Sequence, residues 1–194
     1  MYSQRNEEDI VNCIFNILNI ENKDGKLFSV EFGAGDGIKH SNTRLLLENG
    51  WYCLFIEGDP LLYQKLLYNT RDCKNAVAIN RAVSIENDNS NLNFILSDNN
   101  IPYDFEFLSI DVDGNDYYIW KDLRYSPKIV CIEYNSNWEE KCTIEYDKNH
   151  KWDGSQYYGA SLSLLSELGE NKGYTLIDVV RYTNLFFIRN DLYT

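Results

Sequence analysis

The sequence contains no cluster of basic residues, and its acids outnumber its bases. Eighteen lysines and arginines stand against 30 aspartates and glutamates, which gives a formal net charge of −12. Nucleic-acid binding relies on clustered Lys and Arg that displace counterions from the phosphate backbone. The composition therefore excludes nucleic acid as an expected partner. It favours a ligand that is small and neutral or cationic, or one that binds where the surface is locally less acidic.

Long hydrophobic runs and paired cysteines are also missing. No apolar run approaches the ~18 to 20 residues of a membrane span, and the opening MYSQRNEEDI lacks the basic and apolar regions of a signal peptide. We expect a soluble, cytoplasmic protein with no membrane partner. The cysteines are odd in number and show no CxxC or metal-ligand spacing, which predicts free packing thiols in a reducing compartment. They are Cys13, Cys53, Cys73, Cys131 and Cys142.

What is present is an alternation of strand-like and helix-like segments. Such an alternation predicts an α/β fold with a doubly wound, mostly parallel sheet, whereas the last two runs are joined by only a few residues and must pair antiparallel. We expect a single domain over residues 1–194, with an N-terminal helix within 1–22 and an insert at 136–158. The strand-like runs are 27–32, 51–56, 76–79, 93–96, 105–110, 128–133, 175–180 and 184–188, and the helical patterns are 6–20, 41–49, 60–69, 117–123 and 160–172.

The stretch VEFGAGDG, residues 30–37, places three glycines and two acids directly after the first strand-like run. A dinucleotide loop has the spacing G-x-G-x-x-G, whereas position 38 is Ile here, and Glu31 and Asp36 would repel a diphosphate. An acid two residues before a G-x-G-x-G loop suits a ligand with a cationic amino-acid end, such as S-adenosyl-L-methionine (SAM). The predicted cofactor contacts in this loop are Glu31, Gly33, Ala34, Gly35, Asp36 and Gly37.

Glu57 supports the same interpretation. It ends the second strand-like run, roughly 20 residues beyond the loop, where a carboxylate can accept both hydrogen bonds of a ribose diol. The alternative is a glycine cluster that only forms a turn, together with a solvated acid. Either feature alone is weak, and the pair favours SAM.

Several acids follow the strand-like run at 105–110, in the stretch FLSIDVDGND. Asp111 ends that run, and Asp113, Asn115 and Asp116 occupy the following turn, where carboxylates can bind a hard cation or act as a base. An EF-hand is excluded because its sixth and twelfth positions require Gly and Glu, and Asp116 and Asp122 stand there. Helix capping is the alternative role for the turn residues.

The next strand-like run leads into IEYNSNW, so Glu133 and Asn135 are expected at the same sheet edge as Asp111. The two histidines, His40 and His150, are candidate bases, although a surface histidine is usually only that. The aromatic-rich insert over residues 138–158 is too long for an ordinary connection, and loops of this kind commonly cover or select a substrate.

Taken in order, these motifs resemble the FkbM-like SAM-dependent methyltransferases, in a branch of short members. The resemblance covers nearly the whole chain. It implies the class I (Rossmann-like) methyltransferase fold, a mostly parallel seven-stranded sheet with an antiparallel C-terminal strand. The resembling segments are VEFGAGDG with SNTRLLLENGW, LFIEGDP, FLSIDVDGNDYYIW, PKIVCIEYN, and YGASLSLLSELGENKGY with NLFFIRNDL.

The same resemblance implies where the cofactor and acceptor bind. It assigns Gly33, Gly35 and Gly37 to the methionine side of SAM, Glu57 to the ribose, and Asp111 both to the cofactor contacts and to the start of the catalytic turn. Members of the family methylate hydroxyl oxygens, often of sugars or natural products. Typical members carry a Glu-Gly version of the turn that reads DVDGND here, which leaves the catalytic details open.

We therefore expect O-methylation of a small-molecule or glycan acceptor, by a protein that can also form a homo-oligomer. Asp111 or Asp116 would act as base or metal ligand, with Glu133 and Asn135 orienting the substrate. Related sugar O-methyltransferases use a divalent cation such as Mg²⁺. The alternatives are a non-catalytic SAM- or ligand-binding module and, disfavoured by the glycine spacing, an NAD-dependent reductase. The expected ligands of a cation are Asp111, Asp113, Asp116 and Glu133.

Overall fold

The computed structural model describes residues 1–193, and within them one seven-stranded sheet forms the centre of the molecule. The first five strands pair with one another only in parallel, and the last strand runs antiparallel to both of its neighbours, β5 and β6. This confirms the mostly parallel sheet with an antiparallel C-terminal strand. The strands are β1 (Phe28–Phe32), β2 (Tyr52–Glu57), β3 (Ala76–Asn80), β4 (Phe107–Ile110), β5 (Ile129–Glu133), β6 (Tyr174–Val179) and β7 (Asn184–Arg189), in the spatial order β3-β2-β1-β4-β5-β7-β6.

Helices cover both faces of the sheet. Residues of the first three helices pack into the apolar core on one face, and residues of the next three pack into the core on the other face. Successive strand residues point to opposite faces, so buried strands read as continuous apolar runs. The helices are α1 (Glu7–Ile17), α2 (Arg44–Glu48), α3 (Pro60–Thr70), α4 (Leu92–Asp98), α5 (Asp116–Asp122) and α6 (Leu162–Asn171), with a short 3₁₀ helix at Asn190–Leu192.

One predicted strand is wrong. Residues 93–96 belong to helix α4, which Asn91 caps by accepting a hydrogen bond from the Asn93 amide at 2.9 Å. Leu92, Ile95 and Leu96 are buried on one side of this helix. Their spacing of three and four residues is helical, but a window of four residues is too short to distinguish that period from a buried strand.

The carboxyl ends of β1 and β4 lie side by side at the point where the strand order reverses. Phe32 is in register with Ile110, and the amide of Asp111 donates to the carbonyl of Phe32 at 3.2 Å. On the other side, the Gly33 amide donates to the Ile56 carbonyl at 3.0 Å. Open α/β sheets bind ligands in the crevice at such a switch point. The topology therefore brings the glycine loop, the end of β2 and the Asp111 turn together.

Two further expectations can be compared with the structure. No helix within residues 1–193 is long and apolar enough to cross a membrane. All five cysteines carry free thiols, with Cys53 and Cys131 buried in the sheet.

Candidate functional site

The glycine loop is shaped by close contacts on both of its sides. Gly33 has φ of +74°, and a Cβ at this position would overlap the backbone carbonyl oxygen of Asp111. Gly37 has φ of +72°, and a Cβ there would meet the side chain of Leu66 at 2.5 Å. By contrast, Gly35 has φ of +57° and faces open space. Gly33 thus lets the end of β4 lie against the loop, and Gly37 lets α3 lie against it. Gly35 has no such neighbour and leaves room for a ligand in the cleft.

A cleft of about 520 Å³ opens over this edge of the sheet. Cavities of this size accommodate a small organic ligand. Five of the predicted cofactor residues line it, namely Gly33, Ala34, Gly35, Glu57 and Asp111. The remaining lining residues are Lys39, His40, Gly58, Asp59, Pro60, Leu62, Arg81, Ala82, Val83, Val112, Asp113, Asn115, Lys148, His150 and Lys151.

Glu57 connects the end of β2 to the glycine loop. Its carboxylate accepts hydrogen bonds from the Gly35 amide at 2.6 Å and from the Asp59 amide at 2.7 Å. Burial raises the pKa of Glu57, opposed by these amide hydrogen bonds. A carboxylate has about four lone-pair positions, so two remain after both amides are bound. Glu57 is placed to hold the loop and still accept hydrogen bonds from a diol in the cleft.

Glu31 lies outside the cleft, contrary to expectation. Its carboxylate accepts hydrogen bonds from the Ser41 hydroxyl at 2.6 Å, the Asn42 amide at 2.7 Å and the Thr43 hydroxyl at 2.7 Å. Strand alternation turns Glu31 toward the face covered by α1–α3. Burial raises the pKa of Glu31. The structure assigns this residue to the packing of β1 against the segment before α2, and not to the cofactor.

Asp36 and Gly37 are likewise not among the residues that line the cleft. One carboxylate oxygen of Asp36 accepts hydrogen bonds from the amides of Ile38 and Lys39 at 2.9 and 2.8 Å. Asp36 therefore closes the turn that follows the glycines, and Gly37 makes room for α3. Of the six loop residues predicted to contact the cofactor, the structure brings Gly33, Ala34 and Gly35 to the cleft.

Three carboxylates converge beside the cleft. Oxygen atoms of Asp111, Asp113 and Glu133 all lie within 4.8 Å of one another. Asp111 comes from the end of β4, Asp113 from the following turn, and Glu133 from the end of the neighbouring strand β5. One oxygen of Glu133, Oε2, is buried without a hydrogen-bond partner. The expected meeting of the Asp111 turn with Glu133 is thus present, and we call these three residues the acid cluster.

The acids in this cluster favour protonation. Burial, followed by repulsion from Asp116 and Asp113, raises the pKa of Asp111 well above its usual range. Burial, followed by repulsion from Asp111, raises the pKa of Glu133 to about 11. Their carboxylate oxygens lie within 4.8 Å of each other, so ionising one group raises the pKa of the other. The pair therefore retains a proton at neutral pH.

Asp116, predicted as a base or metal ligand, has a different role. Its two carboxylate oxygens accept hydrogen bonds from the amides of Val112 and Gly114 at 2.9 and 2.8 Å, and its side chain is fully buried. Burial raises the pKa of Asp116. Because both oxygens are engaged, Asp116 shapes the turn that carries Asp113; its partners precede α5, so it does not cap that helix. The acid cluster does not include it.

Asn135, expected to orient the substrate, holds the insert instead. It is fully buried, and its amide nitrogen donates to the carbonyls of Gln156 and Tyr158 at 2.8 and 2.9 Å. Its amide oxygen accepts a hydrogen bond from the Asn137 backbone at 3.0 Å. With donors and acceptor engaged, Asn135 fixes the start of the insert against its end.

The insert reaches the cleft from the far side. Asn115 donates to the carbonyl of Asp147 at 2.7 Å, and His150 Nε2 lies 3.2 Å from the carbonyl oxygen of Asp113. A Cβ at Gly114 would overlap the His150 ring. The insert is therefore packed directly on the turn that supplies the acid cluster.

Four cations that the motifs did not indicate also line the cleft. Lys39 follows the glycine loop, Arg81 follows β3, and Lys148 and Lys151 belong to the insert. Both histidines of the chain line it as well. Because these residues lie on loops far apart in the sequence, no spacing rule could have grouped them. We call the set of four cations and two histidines the basic rim.

Glu133 predicts how stability depends on pH. Its pKa is about 11 in the folded state and 4.5 in the unfolded state. Between these two pH values the folded state binds more protons than the unfolded state, so stability falls as the pH rises. In chelator-containing buffer, the free energy of unfolding should drop more between pH 6 and 9 for the wild type than for Glu133→Gln, by about 1 kcal/mol or more. Urea titrations at both pH values measure this difference.

The matched control is Glu139→Gln, at an exposed acid in the insert. It should leave the pH dependence of the wild type unchanged. Parallel stability curves for the wild type and Glu133→Gln would show that Glu133 is ionised in the folded protein across this range.

Comparisons with known proteins agree with the fold. No protein-family model and no curated protein matches the sequence. The N-terminal domain of EvdMO1 with SAH bound matches with a TM-score of 0.56 at 11% identity, over 96% of this chain and 80% of that one. The methyltransferase domain of METTL16 matches with a TM-score of 0.58 at 15% identity, over 93% of this chain and 66% of that one. A SAM-dependent methyltransferase from Aquifex aeolicus matches with a TM-score of 0.52 at 12% identity, over 94% of this chain and 90% of that one. The chain thus has the class I SAM-dependent methyltransferase fold, and membership of the FkbM-like branch stays a prediction.

Proposed function

We propose that the chain is a SAM-dependent methyltransferase that methylates a hydroxyl group of a sugar, glycan or other small molecule. One observation carries the proposal: a single cleft joins the open glycine Gly35, the carboxylate of Glu57 and Asp111, which belongs to the acid cluster. The first two are suited to a nucleoside with an amino-acid end, and the third is suited to removing a proton from an acceptor. The SAH bound by the EvdMO1 domain supports SAM as the cofactor.

The chain's residues would bind the cofactor along the strand ends. Glu57 would accept hydrogen bonds from the ribose diol, and Gly35 gives the adjoining part of the ligand room to lie against the backbone. Asp111 lies across the cleft at the end of β4. The negative charge along this edge suits the positive amino and sulfonium groups of SAM.

Hydroxyl methylation needs proton removal, and the acid cluster supplies an acceptor for that proton. When bound, SAM supplies an electrophilic methyl group, so the acceptor oxygen gains an O–CH₃ bond while the C–S electron pair returns to sulfur and leaves SAH. The hydroxyl proton passes to the Asp111–Glu133 pair, whose raised pKa values make it a competent base in its ionised form. A hydroxyl depends on a base more than an unprotonated amine does, so the acid cluster favours a hydroxyl acceptor.

A divalent cation such as Mg²⁺ is a second candidate occupant of the acid cluster. The three carboxylates offer the oxygen ligands that Mg²⁺ prefers, and Glu133 Oε2 has no other partner. Asp111, Asp113 and Glu133 would hold the ion, which would lower the pKa of a hydroxyl bound beside it. Asp116 is unsuited to this role because both of its oxygens bind backbone amides.

Calorimetry with SAM and SAH tests the proposed function first. We expect both to bind with micromolar dissociation constants, followed by transfer of labelled methyl from SAM to at least one member of a panel of sugars, glycans and nucleotide sugars. Failure of both ligands to bind at millimolar concentration would contradict the proposal. Binding without transfer to any acceptor would instead favour a non-catalytic module that retains the fold.

The same transfer assay separates the base from the metal. With EDTA present, full activity would assign the acid cluster to base catalysis alone. Activity that is lost with EDTA and restored by Mg²⁺ would assign it to a cation, and Asp113→Asn should then require a higher Mg²⁺ concentration.

A further inference from the structure

The basic rim is unusual for a protein of this charge. The chain as a whole carries 18 basic and 30 acidic side chains. Within the cleft, Lys39, Arg81, Lys148 and Lys151 match the four acids Glu57, Asp59, Asp111 and Asp113 in number, and both histidines are added to them. The cleft is therefore the locally less acidic surface that an anionic ligand would need.

The acids and the cations occupy different parts of the cleft. Glu57, Asp111 and Asp113 sit at or next to strand ends, on the floor where the cofactor would bind. The cations sit on loops around it: Lys39 follows the glycine loop, and Lys148 and Lys151 belong to the insert. Three of the four cations thus come from loops that line the cleft, and the fourth, Arg81, directly follows β3.

Little within the described chain neutralises these cations. Lys148 lies 3.4 Å from Asp88, an ion pair with both side chains about half exposed, 50% and 46%. Arg81 donates to a backbone carbonyl, that of Asn89, at 3.2 Å. Within residues 1–193, Lys39 and Lys151 form no ion pair within 4.0 Å. SAM has one carboxylate, which accounts for one cation at most.

The insert places Lys148, His150 and Lys151 of the basic rim next to the turn that carries Asp113. The contacts of Asn115 with Asp147, and of His150 with the Asp113 carbonyl, tie this segment to the turn of the acid cluster. A ligand anchored by its negative end on Lys148 and Lys151 would extend from there toward Asp111. Such a ligand is a small molecule that has an anionic group at one end and a hydroxyl at the other.

We propose that the methyl acceptor is a small anionic molecule, with a phosphate or carboxylate group that binds the basic rim. Calling this anion the acceptor rests on the proposed function, but the existence of the anion site does not. Lysine ammonium groups bind phosphate as point charges, and such charge-assisted hydrogen bonds are about twice as strong as neutral ones. A nucleotide-linked or phosphorylated sugar has the required chemistry.

Calorimetry on the SAH-saturated protein at low ionic strength tests the site, with pyrophosphate, inorganic phosphate and acetate as probes. We expect pyrophosphate to bind, and the double variant K39Q/K151Q to weaken it about tenfold. The control K23Q/K74Q removes the same charge from exposed lysines near the opposite edge of the sheet and should leave binding unchanged. Acetate binding with the same dependence on Lys39 and Lys151 would support a carboxylate in place of a phosphate.

Two results would overturn the proposal. One is equal affinity of both double variants for every anion, or no anion binding at millimolar concentration. The other is an oligonucleotide that binds more tightly than pyrophosphate and is weakened by K39Q/K151Q, which would point to a nucleic-acid partner. The SAH titration distinguishes failure of the proposed function from failure of the anion site. Anion binding without SAH binding would contradict the proposed function and still support the anion site.

Discussion

Replacing Asp111 by Asn should slow methyl transfer about 10²- to 10⁴-fold while leaving the protein folded. General bases contribute rate factors of this size, and an amide cannot take the hydroxyl proton. Asn is nearly isosteric with Asp, and it replaces a carboxyl group whose ionised form is disfavoured by burial and by repulsion from Asp116 and Asp113. The melting temperature should therefore stay the same or rise. Single-turnover transfer to the best acceptor, together with thermal unfolding, measures both effects.

Asp116→Asn is the informative control for this variant. Both oxygens of Asp116 accept backbone hydrogen bonds, so an amide in its place leaves one backbone donor facing another donor. We expect this variant to lose about 1.5 to 3 kcal/mol of stability, since hydrogen bonds to charged groups are worth that much. If Asp111→Asn kept the wild-type rate, or lost rate only in step with stability, Asp111 would not be the base.

Much of the fold follows from the sequence wherever the local signal is strong. The β1 and β4 runs are apolar and end in polar turns, and parallel pairing then brings their carboxyl ends together. Helix α4 resembles a strand over residues 93–96 because four residues do not determine a period. The decisive signal was the Asn91 cap followed by Leu92, Ile95 and Leu96, a pattern visible only in a wider window.

The site is less predictable, because side-chain direction and long-range contacts decide it. Glu31 is next to the glycines in sequence, but strand alternation turns it toward Ser41 and Thr43. Asp116 begins α5 directly after the polar turn and accepts hydrogen bonds from that turn's amides. Such local hydrogen bonding by Asp competes with any functional role. The lysines of the basic rim come together only when the insert folds across the cleft.

Glu57→Ala should weaken SAH binding about 10- to 100-fold if the carboxylate binds the ribose diol. Hydrogen bonds to a charged acceptor are worth about 1.5 to 3 kcal/mol, which corresponds to this range of dissociation constants. Part of the loss has a second cause, because Glu57 also accepts the hydrogen bond of the Gly35 amide at 2.6 Å. Affinity alone therefore cannot distinguish diol recognition from a loosened loop.

A cycle that changes the ligand as well as the protein isolates the diol contact. Adenosine and 2′,3′-dideoxyadenosine differ by the two hydroxyls that Glu57 would bind. The energy of that contact is the difference between the binding free energy lost when both the protein and the ligand are changed and the sum of the losses from each change alone. We expect the wild type to prefer adenosine at least tenfold and Glu57→Ala to bind both equally, because loop loosening affects both ligands alike. A preference that survives in Glu57→Ala would assign the diol to another group and leave Glu57 as a support for the glycine loop.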